Sequence, residues 1–465
     1  MSILPTTPAS GPSDERTRTN VKNLLRLWFS VDAPVTPRAY RDSGFFLIVV
    51  KYAVDAGLIM MMTGKTWHPW DYLSPLAASR AQLPEGLIIA LVVLSLPFMW
   101  IGATMSARRA VNAGLSAGLG LTLFFIPLIN YLAMLAFCVL PEQHHALQRR
   151  EQVSMEPGLR AALLGVGIAT LMGVVLLLIS VFLLNGYGMG LFVGTPFLMG
   201  VLSAFIFNRT SLRGMHESVG VACTAVVIGG GALLLFALEG FVCLVMAAPL
   251  ALAMAALGGV LGRALAQRST SQVAALVLMS TSLPVFMGME RAASAPAVHS
   301  VVTEMDIAAP PERVWPFVVG HSELPPPTEW FFRLGIAYPV HSTTYGEGVG
   351  ATRHCTFSTG PLVEEITAWE PGRLLRFKAI SQPAPMKELT PYNIEPPHLD
   401  GYVRSRTGEF RLTRLSDGNT RLTGTTEYES SLGPDGYWSL WSDALVSAVH
   451  RRVFQHIATL STKAP

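Results

Sequence analysis

The residues best suited to chemistry lie in the C-terminal third of this 465-residue sequence. Glu364 and Glu365 are neighbours in a strand-like run, so their side chains point to opposite faces of a sheet, and one of them can face its interior. A carboxylate there could act as an acid or a base, and the alternative is a solvated strand face. His354 and Cys355 are also strand neighbours, so they cannot form a dyad unless a bulge intervenes.

A Pro-rich insertion over residues 382–400 leads into a segment with further polar candidates: Tyr392, His398, Asp400, Tyr402, Arg404 and Arg406. A structureless loop of this length is often a lid or a binding element, and the alternative is a purely structural loop. We therefore count His398 with His354, Glu364 and Glu365 as the possible polar groups of a cavity.

The sequence contains no motif that predicts a metal ion or a cofactor. Five histidines of the C-terminal third show no metal-ligand spacing: His341, His354, His398, His450 and His456. There is also no phosphate-binding loop, no dinucleotide-binding glycine motif between a strand and a helix, and no nucleophile elbow. We therefore predict neither a metal site nor a cofactor.

A second polar pair lies in an apolar run near the N-terminus. Lys51 and Asp55 are four residues apart, which places them on one face of a helix. Charges at bilayer depth are costly and usually paired. The two residues are therefore a membrane charge pair. It is either a neutralised structural pair or part of an ion or proton relay, unless one of them reaches the membrane interface.

The composition requires two different environments. The chain is 51% apolar and only 14% charged, with a mean hydropathy of +0.42. Residues 161–262 contain four charged side chains, whereas residues 300–465 contain 33. This contrast predicts a membrane region followed by a soluble C-terminal domain. The net charge of +3 and the absence of a basic cluster argue against a nucleic-acid partner, and four cysteines exclude a disulfide scaffold.

Eight apolar runs are long enough to cross a bilayer, which needs about 20 residues each. They lie near residues 44–63, 84–106, 117–140, 160–184, 188–208, 218–238, 240–262 and 271–289. The Gly-rich run at 188–208 contains Pro196 and is the one that we expect to be re-entrant, if any is. Residues 1–42 form a cytoplasmic tail with a possible interfacial helix.

The basic residues give two conflicting orientations. Six of them precede the first span and place the N-terminus in the cytoplasm. With eight full spans, the C-terminal domain would be cytoplasmic as well. In the second half of the membrane region, however, the loop at 185–190 and the loop at Glu239 hold no basic residue, whereas the loops that alternate with them do. One span is therefore re-entrant or miscounted, and the local charges favour an extracytoplasmic domain.

The first membrane segments resemble a known family. Arg108, Arg109, Gly114 and Ser116 precede an Ile-Pro-Leu-Ile run at 126–129. This pattern is similar to the small bacterial inner-membrane family called domain of unknown function 805. The resemblance implies a multi-pass module over residues 43–142, in a bacterial inner (plasma) membrane. The later apolar runs predict a further helical bundle over residues 143–290. The paired arginines are interpreted as a cytoplasmic anchor.

The soluble domain, residues 300–462, shows a regular order of elements. A strand-like run (VVTEMDIAA) is followed by a helix start at Pro310-Pro311, several strands with Gly or Pro turns, and a hairpin at Asp417-Gly418-Asn419. A long helix over residues 434–461 closes the chain, with apolar residues spaced by three and four.

The opening run TEMDIAAPPERVWPFV resembles the SRPBCC superfamily, also called START-like or polyketide cyclase/dehydrase and lipid-transport proteins. The resemblance implies an α+β helix-grip fold, in which a curved sheet wraps the terminal helix around a space for an apolar ligand. The predicted fold is therefore a multi-pass membrane domain of about eight helices followed by a helix-grip domain. Candidates for the cavity wall, or for ordinary core, are Trp330, Phe357, Trp369, Phe377, Tyr402 and Trp438.

Three classes of function agree with this organisation. The first is a membrane-anchored carrier or sensor whose helix-grip domain binds a hydrophobic small molecule or lipid, with the lipid bilayer as its other partner. The second is a membrane-tethered enzyme of the cyclase or dehydrase type. The third is a transport or signalling device regulated by the ligand.

Overall fold

The computed structural model describes residues 22–31, 34–72, 83–125, 129–142, 157–236, 238–267, 272–293, 295–389 and 396–463. Several predictions concern residues outside these ranges. They include the tail at residues 1–20, the run at 126–128 of the N-terminal resemblance, and Tyr392.

The protein is a multi-pass membrane protein. Among the described residues, seven helices are long and apolar enough to cross a bilayer: Pro37–Thr63, Ala90–Asn112, Gly158–Leu183, Gly190–Asn208, Met215–Leu235, Phe241–Ala266 and Gln272–Ala293. The second belongs to a longer helix, Glu85–Asn112. The fourth corresponds to the Gly-rich run that the sequence marks as the re-entrant one, if any is. In it, a π-helical turn at Gly190–Gly194 leads directly into the α-helix Thr195–Asn208. Pro196 does not interrupt it, because it lies in the first turn of the α-helical part.

The predicted span at 117–140 is wrong. The structure has two short helices there, Ala117–Phe124 and Ile129–Val139. The longer has 11 residues, which gives a length of about 16 Å against a hydrocarbon core of about 30 Å. The apolar run is long enough, but its first helix ends at Phe124 and Phe125 forms a turn.

Arg108 and Arg109 are buried rather than exposed at a membrane surface. Arg109 Nε donates to the carbonyl of Phe137, 2.9 Å away, and Arg108 donates to the carbonyl of Leu27 at 2.5 Å. Both carbonyls lie near a helix C-terminus, where backbone acceptors lack helical partners. The pair therefore caps neighbouring helices, and its role as a cytoplasmic anchor stays a prediction.

Lys51 and Asp55 form an ion pair within the helix Pro37–Thr63. Asp55 is buried, and Lys51 is partly exposed. This arrangement is the one that their spacing of four residues favours.

The C-terminal region forms one antiparallel seven-stranded sheet in the order β1-β7-β6-β5-β4-β3-β2. The strands are β1 (Ala297–Ile307), β2 (Pro339–Tyr345), β3 (Thr352–Phe357), β4 (Gly360–Glu370), β5 (Leu374–Ser381), β6 (Val403–Arg414) and β7 (Thr420–Ser430). Short helices Pro311–Val319 and Trp330–Arg333 lie between β1 and β2. β1 pairs with β7, so the first and last strands are adjacent.

A helix over Asp435–Lys463 ends the chain and packs against the sheet. Its residues Val453, Phe454 and Ile457 are buried with Leu375 and Leu422 of the sheet in one apolar cluster. The spacing of three and four residues places these side chains on one helix face. This is the helix-grip arrangement expected from the order of the elements.

The chain divides into two compact units. The first comprises Met1–Val174, Phe197–Phe236 and Ala255–Leu276, and the second comprises Val175–Pro196, Ala237–Met254 and Val277–Pro465. The second unit therefore contains the whole sheet domain together with short stretches of the membrane region. All the sites described below lie within this second unit.

Candidate functional site

The inner face of the sheet carries a buried ion pair. Arg353 on β3 and Glu364 on β4 are direct cross-strand partners. The guanidinium nitrogen lies 2.5 Å from the carboxylate oxygen, and both side chains are only 2% exposed. Alternation along the strands places Arg353 and Cys355 inward on β3, and Glu364 and Ile366 inward on β4. Burial raises the pKa of the Glu364 carboxyl, and the guanidinium opposes that rise.

Aromatic rings surround the guanidinium of Arg353. Its central carbon lies 5.4 Å from the ring centroid of Phe377 and 5.6 Å from that of Phe410, within cation–π range. Gly408 faces Phe377 across β5 and β6, and a Cβ atom at this glycine would overlap that ring. The ion pair therefore lies in an aromatic interior, where a low local dielectric strengthens polar interactions.

Several buried polar atoms in the domain have no hydrogen-bond partner among the residues that the structure describes, and three of them lie near the ion pair: Arg353 Nε, His321 Nε2 and Ser342 Oγ. Ser342 pairs with Cys355, two residues along β3 from Arg353. The backbones of His321 and Ser342 exchange two hydrogen bonds of 3.1 Å. The three residues therefore belong to the same end of the sheet.

His321 is neutral near pH 7. Burial, and then the charge of Arg353, lowers the pKa of His321 to about 4. Its Nδ1 lies 3.1 Å from the carbonyl of Ser322, so Nδ1 carries the proton and Nε2 is left as an acceptor. The interior thus offers a donor at Arg353, an acceptor at His321, and the Ser342 hydroxyl, which can be either.

His450 on the C-terminal helix is, in contrast, fully hydrogen-bonded. Nε2 lies 2.8 Å from the hydroxyl of Thr426 on β7, and Nδ1 lies 3.0 Å from the hydroxyl of Thr303 on β1. The ring stacks on Phe454. Burial, assisted by the charge of Arg451, lowers the pKa of His450 to about 4. This histidine joins the helix to two strands.

The predicted cavity residues fall into different places. Glu364 and Phe377 face the interior, and Trp369 packs beside it with its ring centroid 5.6 Å from that of Trp315. Phe357 is half-buried at the end of β3.

Other predicted residues lie outside the interior. Trp330 is 66% exposed. Glu365 is exposed on β4, and His354 contacts the exposed ring of Tyr345. Alternation explains the last two, because each is next in sequence to an inward-facing residue, Glu364 or Cys355.

A third group contacts the membrane-region segments of the same compact unit. Tyr402 donates to the carbonyl of Asn185 at 2.9 Å. Trp438 is buried with its ring centroid 4.8 Å from that of Phe192. His398 lies beside Cys243. These residues therefore connect the sheet domain to segments 175–196 and 237–254, rather than lining the sheet interior.

A cavity of about 370 Å³ lies next to Tyr402. Its wall includes Arg291 and Arg404 as well as Glu290 and Glu429. This mixed-charge wall is suited to water or to a polar group, and it is distinct from the aromatic interior around Arg353.

Two glutamates, Glu239 and Glu388, lie beside His398, and the sequence did not predict that they would be close to it. Burial lowers the pKa of His398, but the carboxylates of Glu239 and Glu388 outweigh burial, so the pKa lies above the ordinary value. Burial raises the pKa of Glu388. Burial and the carboxylate of Glu239 also raise the pKa of Tyr187.

Arg353, His321 and Ser342 were not predicted from the sequence. A signal existed for Arg353, because a residue two positions from a buried Cys355 shares its face of the strand. No comparable signal existed for His321 or Ser342, since a bridge between a loop and an edge strand defines their position.

Comparison with known proteins agrees with this architecture. Residues 298–460 match the family model described as polyketide cyclase / dehydrase and lipid transport. A search of curated proteins found no match.

Similar solved structures include a norcoclaurine synthase point mutant from Thalictrum flavum, at 13% identity. The match covers 37% of this chain and 98% of the synthase chain, with a TM-score of 0.26. The Zhui aromatase/cyclase from Streptomyces sp. R1128 is 17% identical to this chain. The match covers 36% of this chain and 95% of the aromatase/cyclase, with a TM-score of 0.25. The C-terminal domain thus matches the polyketide cyclase/dehydrase and lipid transport family over residues 298–460.

Proposed function

We propose that the C-terminal domain binds a hydrophobic small molecule or lipid that carries an oxygen-containing polar group, and that the protein is a membrane-anchored carrier or sensor for it. The observation that carries this proposal is the set of unpartnered polar atoms at Arg353, His321 and Ser342. Buried polar atoms usually have a partner, and a ligand oxygen supplies one.

The chemistry of the interior limits the class of ligand. Phe377 and Phe410 favour an apolar body. Arg353 Nε and the Ser342 hydroxyl favour a carbonyl, hydroxyl or carboxylate oxygen as an acceptor. Glu364 already neutralises the guanidinium charge, so a neutral oxygen suits the site better than a second full negative charge.

The membrane-region contacts support a role close to the bilayer. Trp438 is buried in an apolar cluster with Val242 and Met246 of the helix Phe241–Ala266. The same helix is long and apolar enough to span a membrane. The N-terminal part of the domain's own helix therefore lies against a membrane segment, which keeps the binding domain within reach of lipid.

The proposal is tested on the full chain, purified in detergent from cells, by organic extraction and mass spectrometry of the bound molecules. We expect a hydrophobic oxygen-containing species in wild type. The double variant Arg353→Met/Glu364→Leu, which removes both charges from the interior, should retain less than a tenth of it. The control is Arg376→Met, which removes the arginine of an exposed ion pair with Glu409.

Equal retention by the wild type and the double variant would contradict binding in this interior. A bound species that is chemically converted during incubation would favour the cyclase or dehydrase alternative over a carrier.

We further propose that the C-terminal domain is extracytoplasmic in a bacterial inner membrane. Seven crossings with a cytoplasmic N-terminus put the two termini on opposite sides. The same count places Arg209, Arg213 and Arg263 on the cytoplasmic side, as the positive-inside rule requires. Two short helices, Ala117–Phe124 and Ile129–Val139, replace one of the eight spans that the sequence predicts, and this supports the count of seven.

Cysteine labelling in spheroplasts tests this orientation. Leu440→Cys places a thiol at an exposed site of the C-terminal helix, and Leu212→Cys places one beside the basic loop. We expect a membrane-impermeant maleimide to label Leu440→Cys directly and Leu212→Cys only after permeabilisation. The reverse pattern would place the domain in the cytoplasm.

A further inference from the structure

Three side chains with metal-binding groups meet within the second compact unit. Cys243 lies in the first turn of the helix Phe241–Ala266, Glu239 lies just before it, and His398 lies on a short 3₁₀-helix, Pro397–Leu399. Cys243 Sγ is 2.8 Å from His398 Nε2, and His398 Nδ1 is 3.4 Å from a carboxylate oxygen of Glu239. One potential ligand atom from each residue lies within 4.8 Å of the other two.

This cluster is buried and its hydrogen bonding is incomplete. Glu239 is 7% exposed. Its Oε2 atom and His398 Nδ1 lie 3.4 Å apart in a contact that is not a hydrogen bond, and both atoms are buried without a hydrogen-bond partner among the residues that the structure describes. The other oxygen of Glu239 accepts a hydrogen bond of 3.1 Å from Tyr187. An unpartnered carboxylate oxygen in such a place is costly unless a cation or a donor compensates it.

Glu388 adds a second carboxylate to the same place. It is also 7% exposed, and one of its oxygens accepts the Val242 N–H at 3.2 Å. Its other oxygen is buried without a partner in the described part of the chain. The two carboxylates thus face a single histidine and a thiol, which is an excess of negative charge for a buried site.

We infer that Glu239, Cys243 and His398 bind a transition-metal ion, with Zn²⁺ as the best match. A cysteine, a histidine and a carboxylate are the ligand types that zinc takes in proteins, usually four in number. Glu388 interacts with Cys243 and His398, so its carboxylate is suited to an outer-shell role beside these ligands. Mg²⁺ and Ca²⁺ do not match, because they prefer all-oxygen sites.

The site connects parts of the chain that are far apart in sequence. Glu239 and Cys243 belong to the membrane region, and His398 belongs to the insertion between β5 and β6. A metal held by all three links this insertion to the helix Phe241–Ala266. A metal that binds only the folded state also stabilises the protein, by an amount that rises with the logarithm of the metal concentration above the Kd.

The test uses the full chain in detergent, stripped with a chelator and then titrated with ZnCl₂ or CoCl₂. We expect one metal per chain by elemental mass spectrometry and a Co²⁺ spectrum with a thiolate charge-transfer band. Cys243→Ser and His398→Asn should each weaken binding about 100-fold or more, since loss of a ligand exceeds the 10–100-fold loss typical of outer-shell changes. Cys223→Ser, in another membrane helix, is the matched control and should bind like the wild type.

A further variant separates loss of binding from loss of folding. His398→Cys supplies a different zinc ligand at the same position, so it should keep the stoichiometry of one. Zinc should raise the melting temperature of the wild type and of this variant, but not that of Cys243→Ser. The inference is overturned if the stripped wild type takes up no more metal than Cys243→Ser, or if Cys243→Ser keeps the thiolate band.

Discussion

Replacing Arg353 by methionine is expected to destabilise the C-terminal domain by about 3–5 kcal/mol, the usual cost of leaving one partner of a buried ion pair uncompensated. Glu364 would remain 2% exposed with no guanidinium beside it. For a domain of this size the loss corresponds to a fall of about 6–20 °C in melting temperature. Thermal unfolding of the purified full chain, followed by fluorescence, measures it.

Two further variants test the physical reason. Arg353→Met/Glu364→Leu removes both charges and should recover most of the lost stability, because apolar residues often replace a buried pair at little cost. Arg376→Met breaks an ion pair on the same sheet whose arginine is half exposed, and should change stability by less than about 1 kcal/mol. Equal losses in Arg353→Met and Arg376→Met would mean that water screens the Arg353 pair.

Acid should destabilise the domain through His450. Its pKa is about 4 in the folded protein against an ordinary value of 6.5, so below pH 6.5 the unfolded state binds the proton that the folded state excludes. The contribution of His450 to stability is therefore complete above pH 6.5 and is lost as the pH falls towards 4. A shift of this size corresponds to about 3 kcal/mol, or about 6–12 °C in melting temperature.

The comparison of variants isolates this residue from the other titrating groups. His450→Gln cannot gain the proton, so its melting temperature should fall by about 6–12 °C less than that of the wild type between pH 6.5 and pH 4. His354→Gln, on the outer side of β3, should follow the wild type. Parallel pH profiles for wild type and His450→Gln would show that His450 is protonated without strain in the folded domain. The hydroxyls of Thr303 and Thr426 would then accept its protons.

Local patterns determined the architecture of the protein. Apolar runs of about 20 residues identified the seven spanning helices, since length and hydropathy alone decide whether a helix can cross a bilayer. Alternation and turn residues likewise predicted the strands, the hairpin at 417–419 and the terminal helix. The same local rule failed at residues 117–140, because hydropathy measures the length of an apolar run and not the continuity of its helix.

Side-chain pairing across the chain was outside the reach of these patterns. The alternation rule showed that either Glu364 or Glu365 faces inward, but strand register decided that the inward residue is Glu364 and that its partner is Arg353. Register is a property of two strands, and neither strand sequence specifies it without the other.

The tertiary structure alone decided the surroundings of His398. Sequence spacing shows no metal-ligand motif within any one segment. Glu239 and Cys243 are more than 150 residues away from His398, and folding brings the three together. The sequence by itself thus determined which elements form and which of them require lipid. Only the packing of distant elements decided which charged side chains are buried together, because the cost of burying a charge depends on its neighbours in space.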